Sequence, residues 1–142
     1  MAVLGIGQAL AGDDGLGCLV ARRLRAGGSV SRWLIIDAGT APEACTGTLR
    51  RFRPHLVVLI DAVEMGVAPG SIAWFDTWQA DGVSGSTHDV PLHVVADYLR
   101  IELECEVGLL GVQPASVEFG EPLSKPVRHA ARSLVSAILR LQ

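Results

Sequence analysis

Short apolar runs alternate with segments of helical periodicity along most of this chain, the order expected of an α/β fold with a largely parallel sheet. Ala2 to Ile6 is apolar and runs into Gly5-Ile6-Gly7, which predicts a first strand. From Gly15 to Arg25, Leu16, Leu19, Val20 and Leu24 recur at helical spacing. Arg22, Arg23 and Arg25 fall in the last turn, where cations suit the negative helix end, and Gly27-Gly28 stops it. Trp33 to Ile36 predicts a second strand ended by Asp37-Ala38-Gly39-Thr40, and Pro42 opens a second helix with Leu49 and Phe52 as its apolar contacts. His55 to Ile60 is continuously apolar, as in a strand covered on both faces, and Asp61 is read as its end. Ser71 to Phe75 follows after a short glycine–proline turn, a connection that permits an antiparallel return but no helical crossover. A polar loop over 81–87, a helix near Val90 to Glu102, a strand from Val107 to Val112 and a helix from Pro126 to Leu141 complete the pattern. The predicted architecture is a three-layer α/β/α sandwich on a mostly parallel five-stranded sheet with one short antiparallel strand.

Composition narrows the function classes. The 142 residues suit one domain spanning 1–142. With 49% hydrophobic and 19% charged residues the chain can build a core without staples. A net charge of −3 argues against nucleic acid as the main partner. The mean hydropathy is +0.37, yet no apolar run nears the roughly 18 residues that span a bilayer, so no membrane insertion is expected. The first residues lack a basic leader and read as a strand, not a secretory signal. Cys18, Cys45 and Cys105 are odd in number and lack CxxC spacing, which fits reduced thiols in a cytoplasmic protein.

Open parallel sheets place their sites at the carboxyl ends of strands. Asp13 and Asp14 follow the first strand, Asp37 the second and Asp61 the third, with His88 in the loop before the next helix. The Gly5-Ile6-Gly7 pattern lacks the third glycine of a dinucleotide fingerprint, and two aspartates beside it would repel a pyrophosphate. Gly5 and Gly7 are read instead as a tight strand-to-loop turn, and Gly12, Gly15 and Gly17 as letting the acidic loop fold close to the sheet. Asp14, Asp61 and His88 offer two carboxylates and an imidazole, a donor set suited to Ni²⁺ or Zn²⁺ more than to Mg²⁺, with positions left open. The plain structural alternatives are a helix cap for Asp14, a turn for Asp61 and a solvated loop for His88. His55, His93 and His129 are weaker candidates, and no HExxH or GxSxG motif is present. Met65, Val67, Trp74 and Trp78 mark a candidate apolar docking patch.

Five segments, in order, resemble the nickel–iron hydrogenase maturation endopeptidases. GIGQALAGDDGLG is similar to the family's opening GxGN-x-L-x-x-DDGxG motif, and IIDAGTAPE to its IDGGT loop. LVVLIDAVEMGVAPGSI, STHDVPL and LLGVQPASVEFG resemble its third-strand aspartate, its S/T-x-H loop and its GIQP segment. The resemblance is nearest to the branch that processes formate-hydrogenlyase-type hydrogenase. It implies an aspartic-type endopeptidase acting on the large-subunit precursor, cutting away a C-terminal extension after nickel insertion. It places metal contacts on Asp14, Asp61 and His88, with nickel borne by the substrate and other divalent ions such as Zn or Cd able to occupy the site. Catalysis is expected of Asp14 and Asp37, the latter through cleavage or loop movement, in a monomer. Gln8 stands where the family usually has Asn, and Ala38 where it usually has Gly; both changes are expected to bear on loop geometry. Alternatives are a non-catalytic nickel carrier or sensor, and a receiver-like signalling domain imitated by Asp13, Asp14, Asp61, Thr87 and Lys125.

Overall fold

A computed structural model of the protein describes residues 1–28, 32–75, 84–85 and 91–141. The strands are β1 (Ala2–Ile6), β2 (Leu34–Gly39), β3 (Leu56–Glu64), β4 (Ile72–Phe75), β5 (Ser84–Gly85) and β6 (Glu106–Val112). The helices are α1 (Leu16–Ala26), α2 (Thr46–Phe52), α3 (Leu92–Leu103) and α4 (Lys125–Leu139). Five strands lie in the order β2-β1-β3-β6-β4, and the two-residue β5 adds antiparallel to the end of β3. The β1–β2, β1–β3 and β3–β6 pairs are parallel, and β4 is antiparallel to β6.

Two cores sandwich the sheet. Leu16, Val20 and Leu24 of α1 and Val127, Ala131, Leu134 and Ile138 of α4 bury against Val3, Val58 and Ile60. Leu49 of α2 and Leu92, Val95, Ala96 and Leu99 of α3 bury against Leu4, Val57, Leu59 and Leu109 on the other face. Strand alternation sends successive side chains to opposite layers, which is why β1 and the stretch of β3 from Leu56 to Ile60 are apolar throughout. The expected three-layer α/β/α architecture is therefore present.

Three expectations need correction. Asp61 does not end its strand: β3 continues to Glu64, because β6 pairs alongside as far as Ala62 and β5 takes up Val63 and Glu64. Asp37 likewise lies within β2, paired to Gly5, and the strand ends only at Gly39. Gly5 is not a turn residue. A Cβ there would lie 2.0 Å from the Gly17 carbonyl, and a Cβ on Gly17 would lie 2.2 Å from the carbonyls of Ile6 and Ile60. This glycine contact seats the start of α1 directly on the β1 and β3 backbones.

β4 returns antiparallel as expected, but beside β6, since the flank of β3 is already filled by that parallel strand. Gly108, having no side chain, receives the Trp74 ring there. Trp74 and Met65 consequently do not share a patch: Met65 packs with the α2–α3 core, whereas Trp74 lies on the opposite sheet face. Trp78 is outside the described residues.

Candidate active site

The strand order reverses between β2-β1 and β3-β6, so the crevice at the carboxyl ends of β1 and β3 is the switch point where α/β sheets bind their ligands. The loop after β1 turns back there through a single turn of 3₁₀ helix, Gly12–Gly15, packed against β3. Gly7 holds the ends together. Its N–H donates to the Gly39 carbonyl at the end of β2 (2.9 Å). With φ at +133°, it leaves room where a Cβ would lie 1.8 Å from the Asp14 carbonyl and 3.6 Å from Asp61 Oδ1. Asp14 and Asp61 thus both border Gly7, and both are fully buried.

Each of these carboxylates has one oxygen oriented by a backbone donor. The Gln8 N–H donates to Asp14 Oδ2 (2.7 Å), and the Ala62 N–H donates to Asp61 Oδ1 (2.8 Å). Gln8 thus meets Asp14 through its main chain, so the extra methylene relative to Asn does not alter that contact. Ala38 packs toward the α2–α3 core, and the positive φ of this segment falls on Gly39 instead. His88 lies outside the described residues, although β5, which precedes it, pairs with Val63 and Glu64 just beyond Asp61. Among the described residues no three His, Cys, Asp or Glu side chains form a metal-binding group.

Asp13 and Asp14 are adjacent in sequence and differ in role. Asp13 is 1% exposed, and its carboxylate accepts from the N–H groups of Ala115 (2.7 Å) and Ser124 (2.6 Å) and from Ser124 Oγ (2.9 Å). It ties the loop after β6 to the loop after β1. Ser124 precedes α4 with extended backbone, but its hydroxyl serves Asp13 instead of capping the helix. Gln113 does similar work one strand over. Its Oε1 accepts from the Met65 N–H (2.7 Å) and its Nε2 donates to Glu64 Oε1 (2.9 Å), holding the loop after β3. Neither clamp was anticipated from the sequence; a buried Gln after a strand, directly before Pro114, is the one local hint.

Asp37 is turned toward α1, away from the layer that Asp61 faces. The register makes Asp37 level with Ile60 across Gly5, so Asp61, one residue on, points to the opposite side. Arg22 Nε donates to Asp37 Oδ2 (2.6 Å). Burial pushes the Asp37 carboxyl up, but hydrogen bonds from Cys18 and Arg22 outweigh it and hold it below the usual carboxylate range. Cys18 is buried and its thiol is pushed up to about 12, first by burial and then by the hydrogen bond and charge of Asp37. Its Sγ also lies 3.3 Å from the Gly7 carbonyl, so the thiol is packed beneath the crevice between that carbonyl and Asp37. His55 and His129 are exposed, His93 is half-buried on α3, and Lys125 opens α4 instead of ending a strand.

The chain and its fold are similar to known proteins. Residues 18–141 match the family model described as hydrogenase maturation protease, HycI. The hydrogenase 3 maturation protease of Escherichia coli is 35% identical over 133 residues, covering 93% of this chain and 84% of that protein. The crystal structure of a NiFe hydrogenase maturation protease, HycI, from Thermococcus kodakarensis superposes with a TM-score of 0.88 at 34% identity, over 96% of this chain and 88% of the other. The solution structure of an endopeptidase HycI from Escherichia coli gives a TM-score of 0.79 at 33% identity, over 95% and 86%.

Proposed function

This chain belongs to the hydrogenase maturation protease family, and we propose that it is the endopeptidase that removes the C-terminal extension of a nickel–iron hydrogenase large-subunit precursor once nickel has been inserted. The observation that carries this reading is the pair of fully buried carboxylates, Asp14 and Asp61, bordering Gly7 at the switch point of the sheet. Burying ionisable groups is costly unless something of opposite charge or strong donor character meets them. Two carboxylate oxygens joined by the His88 imidazole suit a borderline divalent ion such as nickel, and leave coordination positions for the precursor's own ligands. Nickel here belongs to the substrate, so its presence marks a precursor ready to be cut.

Asp14 is the candidate general base of an aspartate-based cleavage, its carboxylate steadied by the Gln8 N–H. Asp37 is ionised at neutral pH and paired with Arg22, so as a proton acceptor or loop trigger it acts on release from that guanidinium. Three free thiols suit a reducing compartment, and the proposal places the protein in the cytoplasm as a monomer. No described helix is long and apolar enough to cross a membrane.

The test is to incubate the protein with nickel-loaded and nickel-free precursor from the same genome and weigh the products. One C-terminal fragment leaves the nickel-loaded form only. Asp14→Asn and Asp61→Asn, which keep volume and backbone acceptors, slow release by at least about a hundredfold. Equal cutting of nickel-free precursor would end the recognition role of nickel. An uncut nickel-loaded precursor would end the endopeptidase reading.

A further inference from the structure

Single large apolar side chains in water are ordinary, and the outer face of α3 carries three, Val94, Tyr98 and Ile101, at 46%, 40% and 77% exposure. Leu10 and Phe119 differ. They are 61% and 75% exposed, and they come from two loops that meet at the carboxyl edge of the sheet. The Gly120 N–H donates to the Leu10 carbonyl (2.7 Å), and the Asp13 N–H donates to the Ser116 carbonyl (2.9 Å). The buried Asp13 carboxylate then collects Ala115 and Ser124 from the second loop. The two loops form one unit, so the exposure of these side chains does not come from a loose tip. The same turn carries Asp14, whose N–H donates to the Ala11 carbonyl (3.1 Å).

We infer that Leu10 and Phe119 form an apolar step beside the active site, against which the precursor lays an apolar side chain from the residues next to the cut bond. The inference rests on the endopeptidase reading and assigns that enzyme a substrate-positioning surface. Its occupant is polypeptide because the step is continuous with the turn bearing Asp14, and because exposed Glu118 and Glu121 flank Phe119 and oppose an anionic lipid surface. Holding both loop backbones in place before binding avoids part of the ordering cost of association, and the gain is apolar area withdrawn from water.

The experiment compares wild type, Leu10→Ser with Phe119→Ser, and Ile101→Ser as an equally exposed control. Affinity for nickel-loaded precursor and the cleavage constants are measured separately. The double variant binds at least tenfold more weakly, a change of about 1.4 kcal/mol. KM rises accordingly, kcat at saturating precursor is kept, and Leu10→Met with Phe119→Leu restores binding. The control binds as wild type does. Unchanged affinity and KM in the double variant would overturn the step, as would equal weakening by the Ile101 control. If a substitution unfolds the double variant, Phe119→Ser alone is read by the same criteria. Wild type that binds but does not cut would remove the endopeptidase reading while the affinity comparison still decides the step; wild type that does not bind removes both.

Discussion

The two edges of the sheet handle charge in opposite ways. At the amino edge a hollow of about 480 Å³ is lined by Arg50, Arg53, His55, Glu102 and Glu104. Its charges stay wet: the Arg50–Glu102 pair has side chains 57% and 32% exposed. At the carboxyl edge Asp13, Asp14 and Asp61 are at most 1% exposed, the last two bordering Gly7. Surface ion pairs contribute little because water already solvates both partners. Carboxylates taken out of water persist only where donors or a cation compensate them. The proposed chemistry belongs to the crowded edge, and the wet hollow is a poor guide to it.

The largest effect that can break this contrast is on folding stability. Asp13→Ala removes charge-assisted bonds from the part-buried N–H groups of Ala115 and Ser124 and from the Ser124 hydroxyl, with an expected loss of about 2–3 kcal/mol. Glu102→Ala at the other edge should cost about 1 kcal/mol or less. Urea unfolding of both variants checks the pair. Equal losses would mean that the edges are not different in kind.

That asymmetry was only partly legible in the sequence. β1 is bounded as its apolar run suggests, Ala2 to Ile6, since a strand covered on both faces writes itself as continuous apolarity. The same rule misplaced the end of β3. An aspartate reads as a stop, but Asp61 stays in the strand because it pairs with Gly111 of β6 and the Ala62 N–H meets its carboxylate. The acidic pair was visible, but the division of labour within it was not. Asp13 is made structural by Ala115, Ser116 and Ser124, more than 100 positions away, and no periodicity carries that information. Leu10 and Phe119 were invisible for the same reason: their loops are brought together by backbone bonds and by the Asp13 carboxylate across distant positions.

A smaller effect concerns the floor of the crowded edge. Cys18, with its thiol near 12 against an unfolded value of 9.0, stays protonated in the fold while the unfolded chain ionises. The native state then holds the extra proton, so stability is full below pH 9 and falls as pH rises toward 12. The slope approaches about 1.4 kcal/mol per pH unit. Cys18→Ala removes this contribution, while Cys45 and Cys105 are common to both proteins. Unfolding midpoints followed from pH 8 to 11 should converge; parallel curves would show that the thiol is not shielded.

The smallest effect tests whether the amino edge is built for stability alone. Arg53 and Glu104 end α2 and α3 in the left-handed region, at φ 54° and 50°. This geometry is usually left to glycine, since an L side chain there meets the carbonyl that follows it, at about 1 kcal/mol. Arg53 keeps the useful half of the arrangement, its N–H donating to the Leu49 carbonyl (2.8 Å). Arg53→Gly retains that bond and relieves the crowding, but it also frees the unfolded chain, which returns part of the gain. The net expectation is a stabilisation of up to about 1 kcal/mol by urea unfolding, with precursor cleavage unchanged. A loss of stability would show that the guanidinium contributes electrostatically to the hollow. A loss of cleavage would show that the hollow takes part in substrate handling, and the contrast between the edges would fail at that point.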